Sequence, residues 1–443
     1  MATQYYFISD MHIGGEGPLD ECEFENELID FLKMLENEPG NTELIIVGDA
    51  FGLWELTEIE GVEKLKTIVR SHLPLFEQFR RTGAKIRITL IPGNHDYDLA
   101  CDPEYIPLLK EYGITLEPKI AITREILGRR IWIEHGSQHD ESNSFPDFGN
   151  PHAVPFGWFV MDYVVNRAGK YSDYGRGNWL KDLQSVHPME ALPHWVFSNY
   201  IYREMAPMFR YAFLPFAVFL TPIAVLVAGY DAERYGLIST TFFTDLANYL
   251  LNVGGFFGGL VSSFLLVSAW VITVAAVAAI PGYLIYRDIK QTLLRYGIQK
   301  PSELVGQKGQ HYVEAARKVF VEDPTVAVYI YGHTHAPSLT KEGDHYIINT
   351  GSWLKRLHTV PTRLRFMPDV YWPSFEMSYT KIHAVDGRLA IDYKVWPREA
   401  ELNLTLVERI LTFGRQKKDE IDIPERVYID PPDEAMRDTP TTA

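Results

Sequence analysis

Cysteine is nearly absent: 443 residues carry only Cys22 and Cys101. Neither belongs to a CxxC pair, so no thiolate zinc site or disulfide framework is expected, only two incidental thiols in a reducing compartment. Basic charge is also scarce. Lys and Arg number 42 against 58 Asp and Glu, a formal net charge of −16. A general nucleic-acid binder needs basic surface to meet phosphates, so nucleic acid is not an expected partner. The acidity is spread along the chain and reads as solubility. No internal repeat appears, and Met1-Ala2-Thr3-Gln4 runs directly into a strand with no signal peptide expected. The length suits one large domain or two to three ordinary ones.

What is present is a set of apolar runs that end in metal-binding residue types. Gln4 to Ser9 is aromatic and β-branched and ends in Asp10-Met11-His12. Leu44 to Val47 reads as a buried parallel strand and ends in Gly48-Asp49. Ile86 to Ile91 leads through Pro92 into Gly93-Asn94-His95-Asp96. Ile131-Trp132-Ile133 ends in Glu134-His135-Gly136, and Val326 to Tyr331 ends in Gly332-His333-Thr334-His335. Glu25 to Leu35 and Val62 to Arg81 carry helical spacing. Tyr346 to Asn349 and Phe375 to Ala384 read as strands of a second sheet layer, and the tail from Arg415 reads as mobile. Any one such cluster is commonplace, since Asp after Gly caps turns and a lone His is usually a hydrogen-bonded loop residue. Five at the ends of predicted strands, where open α/β sheets place their ligands, are not.

The set is rich in His, Asp and Asn and free of Cys, which suits Mn²⁺, Fe, Zn²⁺ or Mg²⁺. Its donors are too many for one ion and suit two, roughly 3.5–4 Å apart with one carboxylate bridging. Such a pair polarises phosphoryl oxygens and lowers the pKa of a bound water, and a nearby His can protonate the leaving oxygen. The motifs, in order D-x-H, G-D, G-N-H-D, His-Gly and G-H-x-H, resemble those of the calcineurin-like metallophosphoesterases. The resemblance covers residues 4 to 135 and 326 to about 395. It implies an α/β fold: a double β-sandwich flanked by helices. It implies that Asp10, His12 and His335 hold one metal ion and Asn94, His135 and His333 the other. Asp49 would bridge them, His95 would face the scissile phosphate, and Asp96 would orient His95. Manganese is the expected metal. Gly48-Asp49-Ala50-Phe51 with Leu53-Trp54, the run from Gly332 to Pro337, and Asn349-Thr350-Gly351-Ser352-Trp353 look closest to the group containing UDP-2,3-diacylglucosamine diphosphatase. The chain departs from that group after His135, where Gly136-Ser137-Gln138-His139-Asp140 replaces a simple His-Gly-Asp, and in a longer interval beyond it.

That interval contains the longest charge-free run. Phe209 to Tyr230 holds one charge, Arg210, and Leu246 to Tyr286 holds none. About 20 apolar residues suffice for a membrane-crossing helix, so two spans are expected, at about 209–230 and 260–280. Gly254 to Gly259 would break the longer run and Pro281-Gly282 would close it. Ligands before and after the insertion must meet in one site, which requires an even number of crossings. Arg203, Arg210, Arg287, Lys290 and Arg295 flank the outer ends, while Arg234 stands alone in the connection against Asp231, Glu233 and Asp245. By the positive-inside rule the catalytic part then faces the cytoplasm. Small residues in the second span would permit close helix packing, including between protomers of a homodimer. The competing reading is a buried helical hairpin in a soluble cap or dimer interface, or one dipping into a single leaflet.

The expected organisation is a phosphoesterase domain in two parts (1–136 and 326–414), interrupted by a cap (137–208), a transmembrane hairpin (209–286) and a helical return (287–325), with a charged tail (415–443). In the cap, Arg167, Lys170 and Arg176 stand among aromatics as candidate substrate contacts, or as an ordinary solvated face. The expected activity is hydrolysis of a phosphoester or pyrophosphate, in a lipid-linked or nucleotide-linked substrate held near membrane lipids. The alternatives are a soluble nucleotide or phosphoprotein substrate, or a non-catalytic membrane scaffold on the same fold.

Overall fold

The computed structural model describes residues 4–14, 22–39, 41–166, 182, 185–186, 191–252, 254–295, 301–364, 367–398, 402–415 and 423–430. Arg167, Lys170 and Arg176 lie outside the described residues. The chain divides into two compact units: Met1–Trp195 with Gln307–Asn403 and Gly414–Ala443, and Val196–Gly306 with Leu404–Phe413.

The first unit is built on two sheets. β1 (Gln4–Ile8), β2 (Thr42–Val47), β3 (Arg87–Ile91) and β4 (Ile114–Leu116) run parallel side by side. The other sheet contains β5 (Ala121–Ile126), β6 (Arg129–Glu134), β7 (Val326–Tyr331), β8 (Ser338–Glu342) and β9 (His345–Asn349), in the order β5-β6-β7-β9-β8. β10 (Lys355–Val360) and β11 (Val370–Phe375) form a separate antiparallel pair. β12 (Ser378–Val385), β13 (Arg388–Val395) and β14 (Arg426–Ile429) extend the first sheet, giving the order β14-β13-β12-β1-β2-β3-β4.

Strand periodicity explains the layering. Successive side chains of a strand point to opposite faces. Tyr5 and Phe7 of β1 join Ile45, Val47, Ile131, Ile133, Val328 and Ile330 in an apolar core drawn from both sheets. Tyr6 and Ile8 point the other way and pack with Leu28, Phe31 and Phe76 of the helices Glu25–Leu35 and Leu73–Gly83. On the far face of the second sheet, Tyr329, Tyr331 and Ile347 meet Tyr312, Ala316 and Phe320 of the helix Pro301–Glu322. The unit is thus a helix–sheet–sheet–helix sandwich. Strands buried on both faces are why β2 and β7 read as unbroken apolar runs.

Three expectations need correction. Residues 378–385 do not belong to a second sheet: β12 pairs antiparallel with β1, from Gln4 opposite His383 to Phe7 opposite Thr380. The tail is not wholly without structure, because β14 pairs with β13 and Arg426 forms a two-pronged ion pair with Asp392. The third concerns the second unit, which holds the helices Pro207–Arg234, Phe242–Leu251 and Gly255–Arg295. A separate helix therefore opens the second apolar run, its first turn capped by Glu233, which accepts from the Phe243 and Thr244 amides at 3.0 and 2.7 Å. Pro281 does not end the last helix, which continues to Arg295. Among the described residues, no helix is long and apolar enough to cross a membrane, so the two-span hairpin gains no support from the fold.

Candidate metal centre

All the ligand-type residues named from the sequence lie at the carboxyl ends of β1, β2, β3, β6 and β7. Parallel strands open at one edge, and the loops leaving them are stitched together there. The Met11 and His12 amides both donate to the Asp49 carbonyl at 2.9 Å. The His95 amide donates to Asp49 Oδ1 at 2.8 Å, and the His333 amide donates to the Asp10 carboxylate at 3.1 Å. The Gly332 amide donates to the His135 carbonyl at 3.0 Å. Asn349 fixes the Gly332–His335 turn from β9, donating to the Gly332 carbonyl at 2.8 Å.

Two motif glycines owe their identity to this crowding. A Cβ on Gly93 would collide with the Asp49 carboxylate, and one on Gly332 with the carboxylate of Asp10. The ligands themselves carry the backbone distortion: Asp10, His12, Asp49, His333 and His335 have φ of 51°, 46°, 50°, 65° and 54°. A non-glycine residue rarely adopts that region, and such conformations persist where surrounding structure over-determines them.

The donors form two groups that share one member. Asp10, His12, Asp49 and His335 offer ligand atoms within 4.8 Å of one another, as do Asp49, His135 and His333. Asn94 joins the second group, its Oδ1 3.1 Å from His135 Nε2. Asp49 is common to both, the position of a bridging carboxylate. His12 Nε2 lies 3.2 Å from His335 Nε2, and His335 Nε2 lies 3.3 Å from Asp10 Oδ1.

The protonation pattern fits a cation. His135 Nδ1 lies 2.9 Å from the Val47 carbonyl, which can only accept, so Nδ1 carries the proton. His135 Nε2 then turns its lone pair towards Asn94 Oδ1 and, at 3.2 Å, Asp49 Oδ2. Three acceptors converging in a buried place call for positive charge between them. Burial disfavours the imidazolium of His135, yet the Asp49 carboxylate outweighs it and raises the pKa to about 10, so a proton on Nε2 supplies that positive charge unless a cation takes its place. Burial also opposes ionisation of Asp49, but His135, His95 and His12 hold its carboxyl well below the ordinary range. His12 is held well below its ordinary value by burial and by His95, which leaves a neutral imidazole of the kind metals bind. A divalent pair fits these residues.

His95 stands beside this cluster, its ring 4.4 Å from that of His12. Asp96 does not touch the His95 ring. Its carboxylate accepts from the amides of Ala50 at 2.8 Å, Phe51 at 3.3 Å and Gly93 at 2.6 Å, so it ties the loops after β2 and β3 together. Burial and the neighbouring Asp49 raise its pKa to about 7. The group at His95 Nδ1 is Glu55, at 3.1 Å, and the Trp54 ring lies 4.7 Å from the imidazole. Burial alone would lower the His95 pKa, but Glu55 and then Asp49 raise it. No motif spacing points to Glu55, although it directly follows the Leu53-Trp54 pair. None points to Asn143 either, which contacts Asn94 through its side-chain amide at 3.5 Å.

The model of the calcineurin-like phosphoesterase family matches residues 3–210, which carry every candidate ligand except His333 and His335. A comparison with curated proteins returned no match. Among solved structures, a predicted phosphoesterase from Streptococcus pneumoniae aligns at 10% identity over 91% of this chain and 96% of its own, with a TM-score of 0.26. A dimetal phosphatase from Danio rerio aligns at 11% identity over 91% and 99%, with a TM-score of 0.34. Likenesses that slight carry no argument, and the assignment rests on the family match and on the site assembled above. On those two grounds, residues 3–210 resemble the calcineurin-like phosphoesterases, and the chain is supported as a hydrolase of phosphoester bonds.

Proposed function

We propose that this chain is a membrane-attached, dinuclear, manganese-dependent phosphoesterase that hydrolyses a phosphoester or pyrophosphate bond in a lipid-linked or nucleotide-linked substrate. The observation that carries the dinuclear part is the shared carboxylate of Asp49 between two donor groups. Asp10, His12 and His335 would hold one ion, and Asn94, His135 and His333 the other. Bound there, the ions supply Lewis-acid polarisation of the phosphoryl group and an acidified water.

The chain's own residues do the rest. His95 is held towards its protonated form by Glu55, and a protonated imidazole beside the phosphoryl group can neutralise its charge and give a proton to the departing oxygen. Trp54 packs on the His95 ring and restricts its rotation. Asp96 holds the turn that carries both Asn94 and His95.

Membrane attachment is supported by the second unit, where Trp270, Val277 and Ile280 are each about two-thirds exposed on one long helix. An apolar surface of that kind usually meets lipid or protein. Attachment from the cytoplasmic side rests on the charges flanking the apolar runs, and a substrate with a lipid tail rests on the attachment. The test is hydrolysis by detergent-purified protein supplied with Mn²⁺, against bis-p-nitrophenyl phosphate, a UDP-linked lipid and UDP-glucose, beside His95→Ala. Turnover of the UDP-linked lipid above UDP-glucose, lost in the variant, is the expected result. Preference for UDP-glucose overturns the lipid-linked substrate, and no turnover of any of the three by metal-loaded protein sinks the proposed substrate class.

A further inference from the structure

We propose that Asp140 and Asn143 form an outer support for one half of the dinuclear site, and that occupancy of that half-site depends on them. The inference rests on the dinuclear reading above and goes beyond it. It starts where the sequence departs from the family pattern, in the five residues after His135. Ser137–His139 form a single 3-10 turn, entered through Gly136 at φ 103°, and the turn carries Asp140 back towards β7.

There Asp140 Oδ2 lies 3.1 Å from His333 Nε2. A carboxylate can only accept, so Nε2 carries the proton and Nδ1 is left with the lone pair that an ion would use. The same oxygen accepts from Asn143 Nδ2 at 2.8 Å, while Oδ1 accepts from the Ser142 amide at 2.9 Å. Asn143 in turn presents Oδ1 to Asn94 Nδ2 at 3.5 Å, which turns Asn94 Oδ1 towards His135. One chain of contacts, His333–Asp140–Asn143–Asn94, therefore runs behind two of the three residues that belong to this half-site alone. The turn is anchored separately. His139 Nε2 meets Glu134 Oε1 at 2.6 Å, and the Tyr329 hydroxyl donates to that same oxygen.

The other half-site is held differently. Asp10 is fixed by the Ser9 hydroxyl and by the His333 backbone amide, both close to it in the loop edge, and not by a side chain of the 3-10 turn. Removing the support therefore weakens one ion and spares the other. Asp140 and Asn143 act through His333 and Asn94, which makes them positioning residues.

The test is Mn²⁺ binding to the full chain, wild type against Asp140→Asn and Asn143→Ala. Free Mn²⁺ is titrated by electron paramagnetic resonance, and bound pairs are read from their spin-coupled signal. Asp140→Asn keeps the size of the side chain and a carbonyl acceptor, and Asn143→Ala provides a second route if the first variant misfolds. The expected result is two sites in wild type, with one class loosened about ten- to a hundredfold in each folded variant and the other unchanged. The coupled-pair signal falls in parallel. Two sites of unchanged affinity in both variants overturn the proposal, as does equal loosening of both classes. A wild type that binds only one ion or none overturns the dinuclear reading, and the support falls with it.

Discussion

Apolar side chains mean opposite things in the two compact units. In the sheet unit they are enclosed: Phe7, Ile8, Val47 and Ile330 have no exposed surface. In the helical unit Phe256, Trp270, Val277 and Ile280 are more than three-fifths exposed. Burial of the first kind is worth roughly 1.5–3 kcal/mol per large side chain and holds the loops that carry the metal ligands. Exposure of the second kind gives nothing to the fold of an isolated chain and marks a surface made for another medium or another molecule. On the reading proposed above, chemistry and attachment are separable by mutation.

The largest effect expected belongs to the sheet unit. Asp49→Ala removes the carboxylate common to both donor groups, so the variant should lose both ions and fall to background hydrolysis, while vesicle binding stays at the wild-type level. Metal analysis beside a flotation assay measures both, and an Asp49→Ala protein that no longer floats would merge the two functions. Glu55→Gln should cost less. It keeps the bond to His95 but removes the charge, so kcat should drop within the roughly 10²–10⁴-fold range of lost acid–base assistance, with metal content intact. Loss of metal in Glu55→Gln would mean that Glu55 serves the ions instead of His95.

The converse variant lies in the other unit. Val277→Lys places a charge on the exposed face of the long helix, which costs about 3 kcal/mol at the centre of a bilayer-embedded helix and should reduce vesicle partitioning about a hundredfold. Turnover of bis-p-nitrophenyl phosphate should be unaffected. Unchanged flotation would show that this face does not meet lipid. The smallest effect sharpens the account of the tail. Asp392→Asn breaks the pairing with Arg426 that fastens β14, and should lower the Tm slightly without touching hydrolysis. Burial alone would raise the Asp392 pKa, but Arg426 and His383 hold it below the ordinary value. Its contribution is present above the unfolded carboxyl value and lost as pH falls through the lowered one. The Tm gap between wild type and variant should therefore be constant above about pH 5 and close in acid.

Much of the site was legible because its residues are local to strand ends. Motifs such as Gly93-Asn94-His95-Asp96 join a strand signal, a turn signal and ligand types within a few residues. What escaped was the partner of each ligand. Nothing in sequence spacing says that Glu55, six residues beyond Asp49, reaches His95 while adjacent Asp96 turns to backbone amides. Sheet membership escaped for a related reason: β12 carries a strand pattern, but joining β1 antiparallel is a property of the whole sandwich. β14 is short, charged at its start and stabilised by tertiary pairing, which local composition cannot reveal. Pro281 sits inside a helix that its sequence signal would end. Its missing donor costs about 3 kcal/mol, which a helix of 41 residues can absorb.

The Asp10 carboxylate receives the amide of His333 from 323 positions further along the chain. During synthesis the earlier ligands emerge first, and β6 gains its parallel neighbour β7 only after residues 196–306 have been made. At about 5–20 residues per second, close to 200 residues separate His135 from His333, a wait of roughly 10–40 s. Throughout it the nascent chain has no complete site. An enzyme assembled in this order cannot turn over until its apolar helices have left the ribosome.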